Sequence, residues 1–165
     1  MHPMTTCLLF DHEAEEAAKF YTSVFKNSKL GNITHYGEFG TQVGQTPGKV
    51  LTVEFELNGE KFMALNGPIS QFTEAISFVV PCDTQQELDY YWEKLSEGGN
   101  KNAQQCGWLK DKYGVSWQLV PATLPEMMKD PQKFERVMQA VMQMKKLDIA
   151  KLQEAYGSSK APSAR

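Results

Sequence analysis

Side chains able to do chemistry are few and scattered. His2, His12 and His35 are the only imidazoles, and Cys7, Cys82 and Cys106 the only thiols. The cysteines are odd in number and form no CxxC pair, so neither a disulfide framework nor a zinc knuckle is indicated. A nucleophilic thiol needs an activating base, and no histidine lies near Cys106 in sequence. Cys7 and Cys82 fall at strand positions and are expected in the core, because free cysteine buries readily. Cys106 precedes Gly107-Trp108 in a loop and is expected nearer the surface. Gln118 stands apart. In DKYGVSWQLVP, residues 111–121, a turn at Tyr113-Gly114 leads into a strand over 115–120. One face would carry Val115, Trp117 and Leu119, the other Ser116, Gln118 and Val120. An amide there is either a ligand contact or a buried group satisfied by backbone or water.

The elements around these residues can be read from periodicity. A strand is expected over 5–10, then a helix over 13–25 with Ala14, Ala17, Ala18, Tyr21 and Phe25 at helical spacing. Three strands follow, over 30–39, 49–57 and 60–66. Asn58-Gly59 marks a hairpin between the last two, since both residues tolerate positive φ. Residues 40–48 read as a loop. The pattern then restarts with a strand over 75–80 and a helix over 85–96, capped by Asp83 or Thr84 and stopped by Gly98-Gly99. Short strands around 102–105 and 108–111 lead into 115–120. Strand, helix, three strands therefore occurs twice, with Phe20-Tyr21 matched by Tyr91-Trp92 71 positions later. The fold class is α+β: paired βαβββ modules, followed by helices.

Residues 1–121 are expected to hold both modules, at about 5–66 and 75–120. Residues 122–157 form a Met-rich helical extension, with Phe134, Val137, Met138, Val141 and Met142 on one helix face, and Ile149, Leu152 and Tyr156 buried beyond Asp148. Residues 158–165 read as a disordered polar tail. The chain of 165 residues is 41% hydrophobic and 22% charged, with a net charge of −3 and no dense basic patch. Nucleic acid and membrane surfaces are therefore not expected partners. No apolar run approaches the roughly 18 residues that span a bilayer. MHPMTTCLLF lacks the basic and apolar regions of a signal peptide, which points to the cytoplasm.

Two βαβββ modules, with FYTSVF closing the first helix, resemble the vicinal oxygen chelate superfamily, which includes glyoxalases, extradiol dioxygenases, and fosfomycin and bleomycin resistance proteins. FMALNG, SFVVPCDTQQELDYYWEKLSEGG and CGWLKDKYGVSWQLVP resemble its PhnB-like branch, once labelled 3-demethylubiquinone methyltransferase-like. The resemblance covers about residues 5–157. It implies a U-shaped mixed sheet around a cavity, and a homodimer. In the metal enzymes of the superfamily, the first and last strand of each module supply one ligand each. The ion then binds two neighbouring substrate oxygens as a Lewis acid. Carried over by motif, those positions are Thr6, Ala64, Ala75 and Gln118. Alanine offers no donor, and a hydroxyl with a neutral amide suits a divalent ion poorly. Glu74, one residue from Ala75, would point to the other sheet face. No metal and no cofactor are expected.

What the resemblance leaves is a pocket. The parity that turns Gln118 inward also turns Thr6, Leu8, Phe10, Phe62, Ala64, Asn66, Ala75, Ser77 and Ser116 inward. Cys7, Leu9, Met63, Leu65, Ile76, Phe78, Trp117 and Leu119 would face the helices. Thr6, Phe10, Phe62, Asn66, Ser77, Trp108 and Gln118 are the ligand-binding candidates, with Trp108 at the mouth. Methyl transfer finds no support, because the first strand enters its helix through Phe10-Asp11-His12-Glu13 without the glycine-rich turn of a nucleotide site. The leading expectation is a metal-free homodimer that binds a small, partly apolar molecule. The alternatives are a lyase- or isomerase-type enzyme using acid–base residues such as His12, His35 or Glu54, and a structural or regulatory dimer.

Overall fold

Two mixed sheets carry the apolar strands. The computed structural model describes residues 4–68 and 71–158, and the chain divides into two units, 1–71 and 72–165. The first unit holds β1 (Thr6–Phe10), α1 (Ala14–Val24), β2 (Lys29–His35), β3 (Val50–Leu57) and β4 (Glu60–Asn66), in the sheet order β1-β4-β3-β2. β1 runs parallel to β4, and the other pairs are antiparallel. Asn58 (φ 48°) and Gly59 (φ 89°) close the β3–β4 hairpin as expected. α1 turns Ala14, Ala17, Ala18, Tyr21 and Val24 onto the sheet. The alanines allow a close approach, and Tyr21 stacks on Phe55 with ring centroids 6.2 Å apart. Phe55 in turn stacks on Phe62 at 5.2 Å. Burying each such side chain contributes about 1.5–3 kcal/mol.

The strand parity in this sheet is the reverse of the sequence expectation. Leu8, Phe10, Val53, Phe55, Ala64 and Asn66 are buried on the face that α1 covers. Cys7 is exposed on the opposite face, not in the core. The physical reason is that TCLLF is apolar on both sides, so its own alternation does not fix which face is covered, and one residue exchanges the faces. β2 also ends at His35, four residues short of the expectation. Residues Glu38–Val43 form a 3₁₀ turn between Gly37 and Gly44 instead.

The second unit holds β5 (Phe78–Cys82), α2 (Gln85–Ser96), β6 (Trp108–Lys110) and β7 (Ser116–Pro121), with sheet order β5-β7-β6. α2 buries Leu88, Tyr91 and Leu95. Thr84 caps it, accepting from Glu87 N at 3.1 Å, while Glu87 Oε2 accepts from Asp83 N at 2.9 Å. This reciprocal pair satisfies one first-turn donor of α2 and the Asp83 N–H just before its cap, a variant of the capping box. β5 starts at Phe78, because residues 74–76 turn, and it runs through Pro81. Proline is tolerated there because β5 is an edge of the described sheet. The strand expected at 102–105 is reduced to one bridge, Gln105 with Trp108. Asn100 caps a 3₁₀ turn, Lys101–Ala103, by accepting from Asn102 N, and the local side-chain bond wins over strand pairing.

Three helices follow in the same unit: α3 (Leu124–Met127), α4 (Pro131–Val141) and α5 (Ile149–Gly157). Asp130 and Asp148 cap α4 and α5 through backbone donors. Val137, Val141, Leu147 and Leu152 are buried, whereas Met142 is exposed. Ile149 and Tyr156 are half-buried. The tail expected to be disordered lies outside the described residues from 159 onward.

Candidate functional site

Each sheet has one face that its own helix covers and one that it does not. On the uncovered face of the first sheet lies a groove of about 620 Å³, lined in part by Lys29, Glu54, Glu56, Lys61 and Met63. Its carboxylates have partners: Lys29 Nζ lies 3.2 Å from Glu56, and Asn32 Nδ2 donates to Glu54 at 3.3 Å. Two ligand candidates, Phe10 and Asn66, lie under α1. Asn66 Oδ1 accepts from Ala14 N at 2.9 Å, and its Nδ2 donates to Val50 O at 3.0 Å. The amide thus satisfies an orphan donor at the start of α1, where Glu13 provides no side-chain cap. Phe62 is half-buried within the Tyr21-Phe55-Phe62 stack, and Thr6 is exposed.

The second sheet brings the other three candidates together. Gln118 Nε2 donates to Ser77 Oγ at 2.8 Å. Trp108 is the cross-strand partner of Gln118, and Lys110 that of Ser116. Paired residues share a face, so Trp108, Lys110, Ser116 and Gln118 sit on the side opposite Trp117 and Leu119. A groove of about 410 Å³ opens there, lined by Trp108, Lys110, Ser116, Glu74 and Cys106 among others. Lys110 Nζ contacts Glu74 Oε2 at 2.8 Å, and this hydrogen bond holds the Glu74 carboxyl below its usual range. Ser116 is 2% exposed. Its Oγ is the one buried side-chain polar atom among the described residues without a hydrogen-bond partner. Such groups are rare in native proteins and call for an explanation.

The turn before β7 fixes this face. Asp111, 3% exposed, accepts from Tyr113 N (2.9 Å), Val115 N (3.0 Å) and Trp117 Nε1 (2.8 Å). Cys106 (φ 55°) lines the groove and is followed by Gly107 (φ 84°). They are tied by Cys106 N to Met144 O and Gly107 N to Lys145 O, at 2.8 and 2.7 Å. Cys106 Sγ lies 3.8 Å from Met142 Sδ. Cys82 is buried on β5. Burial first, then the Glu87 and Asp83 carboxylates, push its thiol up to about 12.

Sequence reasoning placed Ser116 on this face but gave it no role, and it passed over Lys110 and Asp111. Lys110 had a signal, since it is two residues from Trp108 on the same strand. Asp111 had none, because its partners are backbone donors and an indole that only the turn brings together.

The strands whose counterparts carry metal ligands in the resembled superfamily are β1, β4, β5 and β7. On their uncovered faces, β1 and β4 present Cys7, Leu9, Met63 and Leu65, while β5 and β7 present Val79, Ser116 and Gln118. None is a carboxylate or imidazole, so this donor set does not fit a hard divalent ion. Among the described residues no group of three or more His, Cys, Asp or Glu could hold a metal ion. The acid–base candidates do not enter the second-sheet site. His12 is exposed beside Asp11 Oδ2 at 3.0 Å, His35 is exposed at the end of β2, and Glu54 lines the first-sheet groove.

The family model described as 3-demethylubiquinone-9 3-methyltransferase matches residues 2–120. The PhnB protein of Bacillus cereus is 39% identical, with a TM-score of 0.62, over 73% of this chain and 100% of its own. FosX of Mesorhizobium loti, a fosfomycin resistance protein, is 13% identical with a TM-score of 0.55, over 78% of this chain and 98% of its own. A FosX variant of Listeria monocytogenes, bound to Mn(II) and 1S,2S-dihydroxypropylphosphonic acid, is 15% identical with a TM-score of 0.57, over 78% and 99%. At those identities the two FosX proteins share the fold. No curated protein matches the chain. The matched residues, the Bacillus cereus relative and the shared fold together show that the chain belongs to the PhnB-like family, described as 3-demethylubiquinone-9 3-methyltransferase, within the vicinal oxygen chelate superfamily.

Proposed function

We propose that this protein is a homodimer that binds a small, partly apolar molecule at the uncovered face of its second sheet, without a divalent ion. Trp108 supplies an aromatic surface, and Gln118 and Ser77 supply polar contacts. The observation that carries this reading is the orphaned Ser116 Oγ in the wall of the 410 Å³ groove. A buried hydroxyl without a partner costs about 1–3 kcal/mol, and rotation of the Ser116 side chain onto a ligand atom in the groove would remove that cost. A mostly apolar groove with a few convergent polar groups is the usual form of a small-molecule site. The donor set on β1, β4, β5 and β7 supports the metal-free part. Exposed Ile76, Val79, Met128 and Met142 leave apolar surface for a second copy. The β1–α1 link, Asp11-His12-Glu13, contains no glycine, so methyl transfer is not part of the reading. No described helix is long and apolar enough to cross a membrane.

A second reading, a lyase- or isomerase-type enzyme, is favoured only by Glu54 in the first-sheet groove. Native mass spectrometry of protein taken directly from cells, combined with metal analysis, separates the two. The binding reading expects a dimer carrying an organic adduct, with metal well below one per subunit. A stoichiometric transition metal without an organic adduct would overturn it.

A further inference from the structure

We infer that the ligand of the second-sheet groove is a small planar monocarboxylate, held by Lys110 and Ser116 against Trp108, with Glu74 as a built-in competitor for Lys110. The inference rests on the binding reading above and names the chemistry of the ligand. Lys110 and Ser116 are directly opposed on β6 and β7, so an ammonium and an unpartnered hydroxyl are neighbours on one face. A carboxylate accepts from the Lys110 ammonium with one oxygen and, once the buried Ser116 hydroxyl rotates toward the groove, from that hydroxyl with the other. Trp108, two residues from Lys110 on the same strand, offers a half-buried ring to a planar carbon skeleton.

The Lys110 side chain is 26% exposed, whereas that of Glu74 is 71% exposed. Both side chains line the groove, the cation from β6 and the more exposed anion from the turn at 74–76. In the free protein the Glu74 carboxylate occupies the place on Lys110 that a ligand carboxylate would take. An ion pair with one partner this exposed is held weakly, so the exchange is easily made. Glu74 keeps Lys110 paired in the empty groove and lowers the apparent affinity for an incoming acid by the fraction of time it stays bound.

The test uses the full chain with benzoate and its neutral isostere, benzamide. Binding is followed by calorimetry and by protection of Cys106, in the same groove, from iodoacetamide, with peptides mapped to separate it from exposed Cys7. Benzoate is expected to bind at least tenfold more tightly than benzamide. Glu74→Gln should tighten benzoate about three- to tenfold and leave benzamide unchanged. Lys110→Met should weaken benzoate tenfold or more and abolish the difference between the two probes. Far-ultraviolet circular dichroism confirms that each variant is folded, and Lys110→Arg should restore the preference if Lys110→Met is not. Equal protection by both probes would overturn the carboxylate inference and leave the groove as a binding site. Protection by neither at millimolar concentration would overturn the groove itself. An unchanged or weaker benzoate affinity in Glu74→Gln would remove the competitor role.

Discussion

The indole N–H of Trp117 donates to the buried carboxylate of Asp111 at 2.8 Å, and two backbone N–H groups of the intervening turn donate to the same side chain. This bond holds Trp117 on the α2 side of the second sheet, where its ring also meets Phe78 at 5.2 Å. With Trp117 fixed, Ser116 and Gln118 must face the groove. Asp111→Ala should destabilise the protein by about 3–5 kcal/mol, because three donors lose a charged acceptor. Combined with Trp117→Phe, the loss should fall short of additive by about 1–3 kcal/mol. Urea unfolding of the four proteins measures this, and strict additivity would show that the bond is not energetically coupled.

Asn66 illustrates a polar residue whose work is internal. Its amide joins the start of α1 to the end of β4 and to Val50 O. Asn66→Leu should cost about 2–3 kcal/mol, since two buried backbone groups lose their partners. Ligand retention by the folded variant should match the parent. Loss of ligand without loss of stability would return Asn66 to the binding site.

Cys82 links stability to alkaline pH. Its thiol, raised to about 12 by burial and then by Glu87 and Asp83, is neutral in the folded protein well above its ordinary value of 9.0. A raised thiol stabilises the fold fully below that ordinary value, and the contribution fades as pH rises from about 9 toward 12. Denaturant midpoints should therefore fall between pH 9 and 11 in the parent, and fall less steeply in Cys82→Ala, compared at matched protein concentration. Iodoacetamide at pH 8 should label exposed Cys7 long before Cys82. Parallel pH curves for the two proteins would rule out this linkage.

Gly107 fits tightly beside Cys106, which lines the groove. A Cβ there would lie 2.9 Å from Leu119 O and 3.1 Å from Leu147 Cδ1, on a backbone at φ 84°. Gly107→Ala should cost about 2–4 kcal/mol through backbone strain and displaced packing. It should also raise the labelling rate of Cys106, whose N–H is tied to Met144 O. Stability within 0.5 kcal/mol of the parent, read from urea midpoints, would mean that this close fit yields without cost.

Much of the fold was legible in the sequence because local chemistry and global pairing agree. Asn58-Gly59 forms its hairpin, and of the apolar α2 positions Leu88, Tyr91, Trp92 and Leu95, all but half-buried Trp92 are buried. Trp117 and Gln118 take the expected sides. The failures have physical causes. TCLLF is apolar on both faces, so the first sheet's orientation depends on where Tyr21 and the α1 alanines dock. The 102–105 strand yields to the Asn100 cap. For the candidate site, Gln118 and Ser77 were accessible from parity, and so was the face of Ser116, whereas Trp108 was expected only at the mouth of the pocket and lies on β6 beside Gln118. The Glu74–Lys110 pair spans 36 residues and follows from the turn at 74–76, which no periodicity announces.

The most direct measurement compares the parent with Trp108→Ala/Gln118→Leu, purified in parallel and examined by native mass spectrometry. Both should run as dimers. The parent should retain an organic molecule, and the double variant should lose at least nine-tenths of it while melting within a few degrees of the parent. Equal retention of the same molecule by both proteins would contradict placement of the site on the second sheet.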